Sequence, residues 1–286
     1  MMHPQSQLPD ALLDELVRRT LAEDLGERGD ITTAATVPAD ITGRFRIVAR
    51  RPGVLAGRAP AELTFRRLDA TIEQRWRLGD GDRLEPGTVI AELQGPAGPI
   101  LTAERTALNF LGRLSGIATL TRAYVDAVAG TKTAIAHTRK TTPGLRALEI
   151  AAVLAGGGAP HRYGLADAVL IKDNHVAMAG GVAAAVGRAR AAVGHMTRIA
   201  VEIDRLDQLD EALSAGAESL LLDNFSLDDL RAAVARCRGL GVTLEASGNV
   251  SLDTVRAIAE TGVDVISIGA LTHSAPNLDL GLDTVD

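Results

Sequence analysis

Cationic side chains gather where three apolar runs of this chain end: His137-Thr138-Arg139-Lys140, His161-Arg162 and Lys172-Asp173-Asn174-His175. Of 30 Lys+Arg, only Lys132, Lys140 and Lys172 are lysines. Arginine serves as the general surface cation, so a retained lysine marks a place where a compact ammonium is wanted rather than a planar fork. Two of the three lysines lie inside the clusters. Together these groups suit anions, with arginine offering a bidentate fork to a carboxylate and lysine a point charge to a phosphate. Later runs end in carboxylates and small turns: Glu202 with Asp204, Asp223-Asn224, Ser247-Gly248-Asn249 and Gly269-Ala270. Lys172 at a strand end also fits a second chemistry, the amine nucleophile of a Schiff-base lyase or aldolase. The density of cations beside it favours an anionic substrate instead.

The elements that must carry these residues follow from the pattern. After Gly130, apolar runs alternate with helical segments: Thr133–Ala136, Ala168–Ile171, Ile199–Ile203, Ser219–Leu222, Val242–Glu245 and Val265–Ile268. Continuous apolar runs of this kind predict a parallel sheet buried on both faces. Repeated βα units predict an α/β barrel or an open doubly wound sheet; the barrel is favoured, with reactive residues at the C-terminal ends of its strands. Six runs are fewer than a full barrel needs, so an incomplete α/β barrel is expected over 116–286, with a C-terminal tail. Residues 1–115 read as an α+β sandwich domain. A helix carries Leu12, Leu13, Leu16, Val17 and Leu21 and ends near Gly26, and the strand runs Phe45–Val48, Val54–Ala56, Ile72–Trp76 and Val89–Leu93 predict an antiparallel sheet. Two helices are expected next, from about Thr102 and from about Ile117. Arg105 then falls in a helix's first turn, where a cation opposes the dipole by roughly 0.3–1 kcal/mol. That placement makes sense if Arg105 points at a carboxylate ligand. Gly156-Gly157-Gly158 is expected to end a helix and give a mobile loop presenting His161 and Arg162.

Composition narrows the classes. Aromatic residues make up 2% of the 286 residues and the formal net charge is −6. Both argue against a nucleic-acid binder. A net-acidic chain with locally basic strand ends fits a focused pocket for a small anion. No apolar run is long enough to span a membrane. Cys237, the only cysteine, falls on a helical pattern with Leu230 and Val234 and reads as a packing residue. A reducing, cytoplasmic location is the expectation.

The stretches Leu101–Asn109, Thr138–Arg146, Gly156-Gly157-Gly158, His161-Arg162, Ile171–His175, Leu222-Asp223-Asn224 and Gly269–Ser274 together resemble the quinolinate phosphoribosyltransferases of NAD biosynthesis. The similarity runs in order through nearly the whole chain. It implies conversion of quinolinate and phosphoribosyl pyrophosphate to nicotinate mononucleotide, CO2 and pyrophosphate. It also implies a homodimer with shared sites, in which Arg105 reaches the neighbour's barrel. By the resemblance, Arg105, Thr138, Arg139, Lys140, His161, Arg162 and Lys172 bind substrates. Lys140, Lys172, Glu202 and Asp223 are catalytic. Ser247, Gly248, Asn249, Ile268, Gly269, Ala270 and His273 hold the 5-phosphate, and Glu202 and Asp223 hold Mg²⁺. A phosphoribosyltransferase acting on another acidic base is the nearest competing activity. A noncatalytic paralogue would have lost several of these residues, and here all are present. Two departures stand out. The family typically has lysine at the position of Ile150, and a polar residue, often asparagine, at that of Pro160.

Overall fold

The computed structural model describes residues 8–285. In chain order the first elements are α1 (Asp10–Leu25), α2 (Ile31–Thr36), β1 (Thr42–Ala49), β2 (Gly53–Val54), α3 (Arg58–Leu68), β3 (Glu73–Trp76), β4 (Arg83–Leu84) and β5 (Val89–Pro96). Then follow α4 (Ala97–Ala127), β6 (Ala134–Ala136), α5 (Arg146–Ala155), β7 (Val169–Ile171), α6 (Asp173–Ala179), α7 (Val182–Ala192) and β8 (Ile199–Ile203). The last are α8 (Asp207–Ser214), β9 (Ser219–Asp223), α9 (Leu227–Cys237), β10 (Thr243–Ser247), α10 (Leu252–Ala259), β11 (Val265–Ser267), α11 (Ala270–His273) and β12 (Leu280–Thr284). Two compact units result. One takes residues up to Arg122, Thr142–Gly157 and residues from Leu271 on; the other takes Ala123–Thr141 and Gly158–Ala270.

The first unit is built on an antiparallel sheet in the order β12-β1-β5-β3. Period-2 alternation along β1 sends Phe45 and Ile47 into the core and leaves Arg44 and Arg46 outside. There they join Phe65 of α3 and Ile100 and Leu111 of α4. The edge strand β12 comes from the end of the chain, which the sequence pattern places in a tail of the barrel domain.

The two helices expected from Thr102 and Ile117 are one, the 31-residue α4. Gly116 looks like a break but is a packing site. A Cβ on it would stand 1.9 Å from the Pro276 carbonyl oxygen, and one on Gly112 would stand 3.0 Å from that of Leu278. The C-terminal segment lies directly on the helix backbone there, and only glycine leaves room. Because α4 starts at Ala97, Arg105 lies well inside the helix and is exposed. The dipole argument for its role therefore does not hold.

A buried ion pair ties this unit together. Glu149 of α5 is fully buried. It accepts from Arg113 of α4 at 2.8 Å, from the Thr142 hydroxyl at 2.8 Å and from the Thr142 N–H at 3.0 Å. Arg113 also donates to the carbonyls of Ala275, at 3.0 Å, and Thr272. Removing one member of such a pair strands the other in a low-dielectric site. Glu149→Ala should lower the unfolding free energy by about 3 kcal/mol, read from urea denaturation at neutral pH. A loss under about 1 kcal/mol, the range of an exposed pair, would contradict this account.

The second unit holds a six-stranded, wholly parallel sheet in the order β6-β11-β10-β9-β8-β7. All six apolar runs read from the sequence are strands of it. No pairing joins β6 to β7 among the described residues, so the barrel is incomplete, as expected. Ala159 makes a parallel bridge to Ala136, extending the open edge of β6. No helix among the described residues is long and apolar enough to cross a membrane. Cys237 is buried in α9, as its pattern predicts, and burial pushes its thiol up.

Candidate active site

The sheet register explains why residues so far apart in sequence meet. Glu202 pairs with Leu221, Leu221 with Glu245 and Glu245 with Val265, and in the next layer Asp223 pairs with Ser247. Paired residues share a face, and so do residues two apart along a strand. One face of the sheet therefore carries Glu202, Asp223, Glu245, Ser247 and Ser267 toward the C-terminal ends of the strands. Leu170 pairs with Ala200, so Lys172, just beyond β7, continues this face beside Glu202. Ala136 pairs with Ser267, so Thr138, just beyond β6, continues it at the other edge.

Contacts follow that layout. The Lys172 ammonium donates to Glu202 at 2.7 Å, and the Glu202 side chain is only 10% exposed. A lysine held on a carboxylate serves as a point charge more readily than as an amine nucleophile, which counts against the Schiff-base reading. At the other edge, His161 Nε2 lies 3.2 Å from Glu245 Oε2. The His161 N–H donates to His137 Nε2 at 3.0 Å, and Ala159 N–H donates to Ile135 at 2.7 Å. The loop after the three glycines is thus tied to β6 at two points. Arg162 donates from Nη1 to the Ala168 carbonyl. Burial pulls its guanidinium down, the Arg139 charge adds to the fall, and Glu245 and Asp167 oppose it. Glu245 shows the converse balance. Burial pushes it up, but the hydrogen bond and charge of His161, with Ser267 and Arg162, outweigh that and hold the carboxyl below its ordinary value.

The small turns are cross-linked. The Asn224 N–H donates to the Ser247 carbonyl at 2.9 Å, joining the turns after β9 and β10. Gly248 has φ +91°, and a Cβ there would stand 2.2 Å from Asn224 Oδ1. Both the backbone and the close approach demand glycine at this position. Asp223 accepts from the Asn224 amide at 2.8 Å.

Of the expected site residues, Thr138, Arg139, Lys140, His161, Arg162, Lys172, Glu202, Asp223, Ser247, Gly248, Asn249, Ile268, Gly269 and Ala270 all belong to the parallel-sheet unit. Ile268 is buried and its N–H is committed to the Ala136 carbonyl, so it shapes its turn without a free polar group. Arg105 and His273 belong to the other unit; the His273 ring contacts the Ser274 hydroxyl at 2.7 Å. Ile150 is packed inside α5 at 5% exposure, while Pro160 is exposed.

Sequence models of the quinolinate phosphoribosyl transferase N-terminal domain and C-terminal domain match residues 30–115 and 117–283. The chain belongs to the quinolinate phosphoribosyltransferase family. It is 48% identical over 273 residues to the nicotinate-nucleotide pyrophosphorylase [carboxylating] of Mycobacterium leprae, covering 94% of this chain and 96% of that one. It is 44% identical to a probable enzyme of the same name from Bacillus subtilis, covering 95% and 93%. The solved structure of the Francisella tularensis nicotinate-nucleotide pyrophosphorylase superposes with a TM-score of 0.94, at 40% identity and full coverage of both chains.

Two residues beside these groups have no role in the sequence reading. His137 stands in a cationic cluster without a role of its own, and Glu245 closes the apolar run Val242–Glu245. A carboxylate in the middle of a buried strand is itself a signal, because it must have a partner there.

Glu245 also sets a pH dependence. Its folded value lies below the ordinary 4.5. The ionised group therefore adds stability above that pH, and the contribution is lost as pH falls through the lower folded value. Between about pH 5 and pH 3 the unfolding free energy of Glu245→Gln should fall less steeply than that of the wild type. Equal slopes in urea titrations across this range would show that Glu245 titrates alike in the folded and unfolded chains.

Proposed function

We propose that this chain binds quinolinate through Arg139, His161, Arg162 and Lys172 and transfers a phosphoribosyl group to its ring nitrogen. The observation that supports this reading is that the His161 ring sits on the buried Glu245 carboxylate at 3.2 Å, with Arg162 within reach of the charges of both Arg139 and Glu245. Holding guanidinium groups together against their repulsion makes sense for a ligand with two carboxylates. Lys140 neutralises the pyrophosphate of phosphoribosyl pyrophosphate. Ser247, Gly248, Asn249, Gly269 and Ala270 take the 5-phosphate. Glu202 and Asp223 take the ribose hydroxyls.

Departure of pyrophosphate leaves positive charge at the ribosyl carbon, and the pyridine nitrogen attacks there. The quaternary nitrogen so formed withdraws the electron pair of the bond to the adjacent carboxylate. That group leaves as CO2, and a proton takes its place. The protein's share is positioning and electrostatics. Magnesium fits as an ion that arrives with the substrate. Among the described residues no three His, Cys, Asp or Glu side chains gather into a cage, whereas Mg²⁺ is commonly held by one or two carboxylates plus substrate phosphates. Glu202 and Asp223 supply such carboxylates. We place the enzyme in the cytoplasm, since a single buried thiol fits a reducing compartment.

With phosphoribosyl pyrophosphate and Mg²⁺, mass spectrometry should detect nicotinate mononucleotide from quinolinate. Nicotinate, lacking one carboxylate, should be poorer in kcat/KM by roughly a hundredfold or more, because the site's cations are then left unpaired. Equal turnover of both acids would overturn the assignment.

The homodimer, with Arg105 supplied across the interface, belongs to the same proposal and rests on the resemblance. Mixing inactive Arg105→Ala and Lys140→Ala subunits should restore activity, since up to about half the sites of a mixed dimer are then whole. No recovery despite demonstrated subunit exchange would place Arg105 outside a shared site.

A further inference from the structure

Two buried polar groups of the parallel-sheet unit touch no substrate in the assignments above. His137 is fully buried at the end of β6, and Glu245 is 7% exposed in the middle of β10. Both act on His161, from different sides. His137 Nε2 accepts the main-chain N–H of His161 at 3.0 Å. A ring nitrogen that accepts carries no proton, so the proton sits on Nδ1, 3.2 Å from the Thr138 carbonyl, to which it donates. The His137 ring thereby spans the main chains of Thr138 and His161. Glu245 holds the His161 side chain instead, with Oε2 at 3.2 Å from Nε2. The His137 and His161 rings meet edge to face, 6.1 Å apart and inclined at 72°.

What remains on these residues points to a ligand. His161 Nδ1 and Arg162 Nε are shielded from solvent and have no hydrogen-bond partner. Buried polar atoms are normally satisfied, and a cluster of them in one place marks a site that a polar ligand completes. The charges of Arg139 and Glu245 both bear on Arg162, and in opposite senses.

We propose that His137 and Glu245 are positioning residues for the acid-binding half of the site. His137 fixes the main chain of His161, and Glu245 fixes its ring. The inference rests on the functional reading given above and adds two residues to it.

Steady-state kinetics on Glu245→Ala and Glu245→Gln test it. Loss of a charge-assisted hydrogen bond corresponds to about tenfold in an equilibrium constant. Glu245→Ala should raise KM for quinolinate by about tenfold or more, while KM for phosphoribosyl pyrophosphate stays within about twofold. Glu245→Gln keeps an acceptor for His161 and should recover part of the loss. Equal rises for both substrates, or no rise for either, would overturn the proposal. Should Glu245→Ala fail to fold, nitrogen-15 shifts of the histidine rings in the wild type decide the His137 half. They should show a protonated Nδ1 and a bare Nε2 at neutral pH, and the opposite tautomer would overturn it. The Gln variant then carries the Glu245 half: an unchanged KM for quinolinate counts against it, and a selective rise supports it. A wild type that makes no product from quinolinate would fail the functional reading itself. An active wild type with an unaffected Glu245→Ala variant fails this inference alone.

Discussion

Cations that must wait for a dianion repel one another until it arrives, and burial makes that repulsion stronger. The parallel-sheet unit meets this constraint by placing a carboxylate beside each group of cations on the same face. Glu202 holds Lys172 near one edge of the sheet, and Glu245 holds His161 and lies close to Arg162 nearer the other. The period of two along each strand does the sorting. Ile199, Val201 and Ile203 are buried on one face of β8, while Glu202 between them turns to the other. The same alternation puts Glu245 and Ser247 on that face from β10. Function and folding are thus linked through register: a slip of one residue in β8 or β10 would move a carboxylate into the apolar layer and leave its cation alone.

The first unit answers a similar constraint with a different purpose. Arg113 and Glu149 are wrapped in main-chain and hydroxyl partners, with Glu149 accepting from Thr142 and Arg113 donating to Thr272 and Ala275. This pair makes specific contacts among three segments far apart in sequence, around Arg113, Thr142–Glu149 and Thr272–Ala275. It stitches the segments after Thr142 and after Leu271 to α4.

Much of this was legible in the sequence because it depends on local patterns. The six parallel strands appear as apolar runs. The site cations stand out because lysine is so scarce that Lys140 and Lys172 draw attention. The rest was hidden where the deciding contact is remote. The single helix α4 was expected as two, because the partner that makes Gly116 a packing site, Pro276, lies 160 positions along the chain. Strand β12 was invisible as part of the N-terminal sheet for the same reason. Glu245 was absorbed into an apolar run because its partner, His161, lies in a loop whose path no local rule gives. Arg105 shows the cost of a misplaced boundary: with the helix starting five residues earlier than expected, its supposed conflict with the dipole disappears.

The central claim is that the site recognises two adjacent carboxylates by charge and geometry, before any chemistry at the ring nitrogen. Benzene-1,2-dicarboxylate separates the two, since it carries both carboxylates and has no nucleophilic nitrogen. Its affinity should be compared with those of quinolinate and nicotinate by titration calorimetry on the wild-type protein at neutral pH. The account predicts that it binds within about tenfold of quinolinate and well above nicotinate, while yielding no ribosylated product. Binding no tighter than that of nicotinate would contradict it.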